Sequence, residues 1–492
     1  MLIEGDRIAE VYRGERGGND ELRRIDAGGC TLLPGMMDSH CHPFELGRMR
    51  RVVDLRGSAS INTMKLRLDA RVRTARPGEW IVGRGWDQEA FGEGRYPNRR
   101  DIDEVTKSNP AILSRVCGHV ALLNSLAIKT LGLDSERGVG YEVDSTGELT
   151  GILKEVALSH AYQRMPEPAL ESTAADLAAA DYEASRAGLT TLHCIVSLSN
   201  FRNELLAIAS SADAGRLTTR LRVYVPPEAV SYLRESGLGG RLSGDHVRVK
   251  GVKIFADGSL GARTAALREP YSDDPDNDGI LVHTDEELAG LVEDADDAGY
   301  QAMIHAIGDR AVEQAIGAIA KLGKSDKRHR IEHASLAPPD LRSKMKRHSI
   351  PAAVQPLFIV SDTWATARLG EERAEHLYPL KSMLREGIMV GGSSDAPVES
   401  ISPVLGVWAA MARSRPGDGE SLSVHEATGL YTGGSAYLGD DEKELGLLAP
   451  GSLADLVLLD SDVTEMHPAM LRKVGVARTI VGGEVVFSYE SA

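Results

Sequence analysis

Residues 299–335 read GYQAMIHAIGDRAVEQAIGAIAKLGKSDKRHRIEHAS. Two short apolar runs, GYQAMIHAIGD and HRIEHAS, enclose a helix-length segment, RAVEQAIGAIAKLG, which gives a strand–helix–strand unit. The same rhythm recurs on both sides. GLTTLHCIV, RLRVYVPP and VRVKGVKIFADG precede the unit, and SIPAAVQP and GIMVGGSSDAPV follow it. Another helix is predicted over TDEELAGLVEDADDAG, where Leu288, Leu291, Val292, Ala295 and Ala298 recur at helical spacing. Thr284 serves as its N-cap ahead of Asp285 and Glu286. With an opening strand at Met36-Met37-Asp38, eight strands alternate with helices. That number predicts an α/β chain folded as a (β/α)8 TIM-like barrel.

The ends of the chain follow a different pattern. LIEGDRIAEVYRG alternates around a turn at Gly5-Asp6, LRRIDAGGCTLLPG supplies a strand ending at Gly35, and GSLADLVLLD and RTIVGGEVVF are β-branched runs, the second turning at Gly482-Gly483. One small sheet domain built from residues 1–35 and 436–492 is the economical reading, with the barrel over 36–435. From about Phe44 to Ala180 the rhythm breaks into helical stretches and short β pieces such as GEWIVGRGWD and PAILSRV. This interval is expected to be an insertion after the first barrel strand that folds over the barrel mouth.

Composition narrows the function. Of 492 residues, 42% are hydrophobic, enough to bury a core and to exclude global disorder. The 56 basic residues stand against 72 acidic ones, a net charge of −16. That balance argues against nucleic acid and anionic membranes as partners, because both need positive fields. Cys30, Cys41, Cys117 and Cys194 are scattered, as reduced thiols are, and form neither a disulfide framework nor a zinc knuckle. The charged N-terminus lacks the apolar core of a signal peptide, and no apolar run reaches bilayer length. A soluble cytoplasmic protein is expected, with a small-molecule substrate and a homodimer as the commonest symmetric assembly.

The candidate chemistry lies at strand ends. In Asp38-Ser39-His40-Cys41-His42, two histidines at i and i+2 project to one face of a strand and can reach a common metal, while Cys41 points towards packing. His305 closes Ala302-Met303-Ile304, His333 closes Arg330-Ile331-Glu332, and Asp395 follows Gly391-Gly392-Ser393-Ser394. All occupy the C-terminal ends of predicted barrel strands, the face that carries barrel active sites. Any one alone could be a satisfied core polar group; their recurrence at one structural position is hard to explain by packing. Lys253 sits among Val252, Ile254 and Phe255, where an uncharged or modified amine is preferred over a desolvated ammonium. Taken alone it also reads as a strand lysine capped by a carboxylate. Lys250, three residues away, should face the opposite side.

These residues lie in motifs that resemble the amidohydrolase superfamily, in particular the branch that includes N-substituted formamide deformylases. The matching segments are LPGMMDSHCH, GRGWDQ, GHVALLNS, KIFADGSLGARTAAL, HAIGDRAV, RIEHAS, GGSSDAPV, GSLADLVLLD and TIVGGEVV, in order over nearly the whole length. The resemblance implies a metal-dependent hydrolase barrel flanked by a β-sandwich from both termini. His40 and His42 match the first-strand ligands, and Lys253 the bridging lysine carboxylated by carbon dioxide. His305 and His333 match the ligands after the fifth and sixth strands. Asp395 matches the eighth-strand aspartate that binds metal and moves protons. Family members usually carry a further strand ahead of the position of Met1, so the N-terminal sheet is expected to be a strand short.

Two divalent ions, zinc by default, would share a hydroxide, and Asp395 would pass its proton to the leaving nitrogen of an amide-like, non-peptide small molecule. The alternatives are a one-metal deaminase, which would need no bridging lysine, an ester or lactone hydrolase, and a non-catalytic barrel scaffold. Around the pocket, Arg263 is expected either to bind a polar substrate group or to form a structural salt bridge. His119, Trp86 and Asp87 would line the cap, although Trp86 also reads as core. Gln355 and Asp309 sit beside strand ends, Gln355 as a candidate substrate contact or as support for a ligand. His193 has no ligand role.

Overall fold

The computed structural model describes residues 1–14, 24–117, 119–413 and 418–489. Eight strands alternate with helices: β1 (Met36–Cys41), β2 (Leu189–Ile195), β3 (Arg220–Val225), β4 (Val247–Phe255), β5 (Gln301–Ala306), β6 (Arg330–His333), β7 (Ala352–Val354) and β8 (Val390–Gly392). Each pairs in parallel with the next in chain order. The two edges meet through the backbone just beyond β8. The Asp395 N–H donates to the His40 carbonyl (2.8 Å), and the His42 N–H donates to that of Ala396 (2.8 Å). The eight strands read from the sequence are therefore the eight strands of the barrel.

The helices form for the reasons legible in their sequences. Between β5 and β6, helix Asp309–Lys321 buries Ala311, Val312, Ala315, Ile316 and Ile319, a stripe at three- and four-residue spacing. Helix Asp285–Asp297 starts from a reciprocal capping box between Thr284 and Glu287 and buries Leu288, Val292 and Ala295.

Polar side chains also point into the barrel. Arg222 opens the inward face of β3, Gln301 that of β5 and Arg330 that of β6, and the segment 435–442 satisfies them from the side of the strands' N-terminal ends. Asp441 takes a fork of bonds from Arg222 (2.6 and 3.0 Å), and the Leu438 carbonyl accepts from Gln301 Nε2 (3.1 Å) and Arg330 (3.3 Å). Ser435 Oγ meets Ser39 Oγ at 2.7 Å. Buried guanidinium groups persist only with such partners, since breaking a buried pair costs about 3–5 kcal/mol.

The chain divides into two compact units, Met1–Leu46 with Ala169–Ala492, and Gly47–Pro168. Besides the barrel, the first holds a four-stranded antiparallel sheet of Leu32–Pro34, Leu456–Leu459, Val476–Val481 and Glu484–Ser488. Gly482 and Gly483 make its last turn, both at positive φ (55° and 81°), as a two-residue hairpin turn of this kind requires. The hairpin Leu2–Glu4 and Arg7–Glu10 joins it through bonds from Ile8 N to Ser452 O (2.9 Å) and from Ala454 N to Asp6 O (2.8 Å). Ile8, Ala454, Leu456 and Ile480 form a common core. Leu22 and Arg23, at the start of the stretch read as a strand, lie outside the described residues. The second unit is a mixed six-stranded sheet with helices, its core gathered around Leu55, Trp86, Leu113 and Leu122. Gly118 of its GHVALLNS motif lies outside the described residues. Among the described residues, no helix is long and apolar enough to cross a membrane, and all four cysteines are free.

Candidate metal centre

The strands deliver their polar termini to one end of the barrel. His40 on β1, His333 ending β6 and Asp395 after β8 bring one ligand atom each to within 4.8 Å of one another. His42 Nε2 stands 3.2 Å from Asp395 Oδ1, and His40 Nε2 is 3.4 Å from the same oxygen. Lys253 Nζ on β4 lies 3.4 Å from His40 Nε2. The His305 ring on β5 is centred 4.5 Å from that of His333. The six residues read from the sequence as a metal set thus adjoin one another in a continuous cluster.

The surroundings fix which atom each imidazole offers. His40 Nδ1 bonds to the Glu332 carboxylate, which leaves Nε2 towards Lys253 and Asp395. His333 Nδ1 donates to Gln355 Oε1 (2.7 Å), whose Nε2 in turn donates to Ser393 Oγ (2.9 Å). His305 Nε2 donates to the Gly258 carbonyl (2.9 Å), which leaves Nδ1 with the lone pair. A histidine whose second nitrogen is anchored in this way is oriented for metal ligation. His333 and Asp395 also hold left-handed backbone, at φ +69° and +56°. That conformation is uncommon outside glycine, and it persists at functional sites where the surrounding structure enforces it.

Electrostatics leaves His305 and His333 with lone pairs. Burial, reinforced by Lys253, lowers His305 to about 3, and burial with His305 nearby holds His333 well below its ordinary range, so both imidazoles are neutral. Burial alone would raise Asp395, but its bonds to His40 and His42 overcome that and keep it well below the usual carboxylate range. Burial pulls Lys253 down to about 8. Its amine has no carboxylate within ion-pair distance among the described residues; its partners are His40 and, 4.9 Å away, the ring of Phe255. Lys250 faces elsewhere and pairs with Asp440. Neutral imidazoles at His305 and His333, an ionised carboxylate and a buried amine whose pKa is lowered fit divalent cations such as zinc.

The supporting residues are mostly ones whose role is not evident from the sequence. Glu332, on the same face of β6 as Arg330, accepts from Arg330 Nε (2.7 Å) as well as from His40, and both are fully buried. Asp38 accepts from Ser394 and from the His40 N–H (3.1 Å), and burial raises it to about 6. Asp257 accepts the backbone N–H groups of Ala266, Ile307 and Gly308 (2.9–3.0 Å), tying the loop after β4 to the loop after β5. The signal for Glu332 lies in the sequence: charged residues two apart in a short apolar strand share one face.

The expected pocket residues fall differently. Trp86 is completely buried, donates from its indole to Leu113 O (2.7 Å) and packs against Phe91 and Tyr96, so it is core of the second unit and not a pocket wall. Asp87 pairs with Arg115 (2.8 Å). His119 is exposed, with Nδ1 3.2 Å from Glu155. Gln355, considered for substrate contact, is buried beneath His333 and orients it. Asp309 accepts the Arg268 N–H (2.9 Å) and braces the loop after β4. Arg263 makes a two-pronged pair with Asp273 (3.1 and 2.9 Å). His193, buried, accepts from Arg330 (2.9 Å) within the barrel.

Comparison with known proteins agrees with this architecture. The amidohydrolase family signature matches residues 23–487. The chain is 33% identical to YtcJ of Bacillus subtilis, over 99% of this chain and 97% of that protein. It is 24% identical to the N-substituted formamide deformylase of Arthrobacter pascens, over 100% of this chain and 94% of that enzyme. The crystal structure of an uncharacterized metal-dependent hydrolase from Pyrococcus furiosus superimposes with a TM-score of 0.78 at 35% identity, covering 90% of this chain and 89% of the other. The protein therefore belongs to the amidohydrolase family, a hydrolase built on a (β/α)8 barrel.

Proposed function

We propose that the protein hydrolyses a C–N bond in an amide-like, non-peptide small molecule. In this reading His40, His42, Lys253, His305, His333 and Asp395 hold two divalent ions, zinc by default, and Lys253 carries a carboxyl group derived from carbon dioxide. The observation that carries the reading is Lys253: a fully buried amine beside His40, without a carboxylate partner among the described residues. With its pKa lowered to about 8 by burial, a share of the amine is uncharged at neutral pH. The neutral nitrogen adds to the carbon of carbon dioxide and loses a proton, which leaves an anionic carbamate with two oxygen donors. A one-metal deaminase would give such a group no task.

Bound at these residues, divalent ions supply Lewis acidity to the scissile carbonyl and acidify the attacking water. The protein's own part is proton transfer. Asp395, held ionised, accepts a proton from the attacking water and delivers it to the departing nitrogen, which leaves as an amine. The Asp395 N–H, bonded to the His40 carbonyl (2.8 Å), holds the residue's backbone in place.

The test is a panel of N-acyl and N-formyl amines, lactams and esters given to metal-stripped and zinc-restored protein, with Asp395→Asn alongside. Zinc-dependent amide cleavage is expected, lowered by about 10²–10⁴ in the variant. Turnover restricted to esters or lactones, or an Asp395→Asn enzyme as fast as wild type, would overturn the reading.

A further inference from the structure

The imidazoles of the cluster fall into two pairs. His40 and His42 both stand against Asp395 Oδ1 (3.4 and 3.2 Å), while the rings of His305 and His333 are centred 4.5 Å apart. Three of the four are braced from behind, and the braces differ in charge. His305 Nε2 donates to the Gly258 carbonyl (2.9 Å) and His333 Nδ1 to the amide oxygen of Gln355 (2.7 Å), both neutral acceptors. His40 Nδ1 meets a carboxylate instead, that of Glu332. An imidazole whose N–H is bonded to a carboxylate is a stronger donor to a metal than one bonded to a neutral oxygen.

The charge on Glu332 follows from what stands behind it. Arg330 lies two residues earlier on the same face of β6, and its Nε donates to Glu332 Oε1 (2.7 Å), both side chains being fully buried. A guanidinium does not deprotonate in proteins, so a buried one needs an anion, and among the described residues Glu332 is the anion bonded to it. The other donors of Arg330 are held by fixed groups. Nη2 reaches the carbonyl of Ser39, the residue before His40 (2.8 Å), and Nη1 reaches His193 Nδ1 (2.9 Å) and the Leu438 carbonyl (3.3 Å). The Tyr224 ring lies against the guanidinium, 4.6 Å from its carbon. One guanidinium therefore grips His40 at two points, through the main chain of β1 and through the carboxylate behind the ring. A buried ion pair is weak support for folding, since apolar residues of similar volume often serve as well. Its place directly behind a ligand points to another use.

Resting on the two-metal reading above, we infer that Glu332 and Arg330 are positioning residues that make the centre asymmetric. The ion held by the His40–His42 pair binds more tightly than the ion held by the His305–His333 pair, and the charged brace behind His40 sets the difference.

Cobalt(II) titration of the metal-free full chain, with bicarbonate supplied, tests this by calorimetry and by the visible absorption of the bound ion. Wild type should take up two ions in steps about tenfold or more apart in affinity. Glu332→Gln keeps an oxygen facing His40 Nδ1 but removes the charge. Its tighter step should weaken by about 10–100-fold while the other stays. Because that change leaves Arg330 unpaired, a double variant, Arg330→Met with Glu332→Gln, removes both charges and should show the same loss. Melting of the metal-free chain establishes that each variant is folded. Gln355→Glu works in the opposite direction with Arg330 still paired: a carboxylate behind His333 should tighten the weaker step by about tenfold. Equal steps in wild type, a folded Glu332→Gln chain that binds as wild type does or loses both steps alike, or a weaker step unmoved by Gln355→Glu would overturn the inference and leave the two-metal reading standing. A single step in wild type would instead remove the two-metal reading itself, and this inference with it.

Discussion

At the scale of the residue, the proposed chemistry turns on Lys253. An ordinary lysine ammonium offers no lone pair, and burying one without a counterion is costly. Burial lowers its pKa to about 8, so a share of the amine is uncharged at neutral pH, and on the proposed reading that share is what reacts with carbon dioxide. Lys253→Ala should therefore lose bound metal and activity together, with partial restoration by acetate or another short carboxylate that fills the vacated space. Elemental analysis and turnover, measured with and without acetate, check this; a variant that retains full metal content would contradict it. The sequence placed Lys253 among apolar neighbours but could not tell a modified amine from a salt-bridged one. The distinction lies in what faces it across the barrel, and that depends on β1 and β6, far away in the chain. Trp86 shows the same limit: its type is compatible with a pocket or a core, and only its burial in the second unit decides between them.

At the scale of the element, barrel strands were legible because eight short apolar runs alternate with helical spacing, and ligands fall at their ends. What the runs concealed is the charge inside them. Arg330 and Glu332 on β6 form a ladder beneath the site, Glu332 holding His40 and Arg330 holding His193 and the Ser39 carbonyl (2.8 Å). His193 on β2 is kept neutral by burial first and by Arg330 second, well below its ordinary 6.5. Burial lowers His246 and His329 as well. These folded histidines bind protons more weakly than the unfolded chain's histidines do, so folding stability is lost as pH falls through about 6.5. The metal-free protein should be less stable at about pH 5.5 than at about pH 7.5, by up to about 1.4 kcal/mol per pH unit for each such histidine, and so melt at a lower temperature there. Calorimetric melting across that range checks it, and an unchanged Tm would contradict it.

At the scale of the whole molecule, the barrel and the terminal sheet form one compact unit and Gly47–Pro168 another. The sequence located the break in rhythm at about Phe44 to Ala180, whereas the compact units divide after Leu46 and Pro168, so that helix Leu170–Arg186 belongs with the barrel. Helical periodicity alone cannot say which body a helix packs against. The terminal sheet was legible for a simpler reason: its hairpins turn at glycines and its strands are β-branched. The central claim is that six residues from five strands and their ends act as one two-metal hydrolytic centre. Metal content of the purified, activity-matched protein tests it most directly, by elemental analysis against protein concentration. About two divalent ions per chain are expected, with activity lost on chelation and regained on restoring them; one ion or none in fully active protein would rule out a two-metal centre.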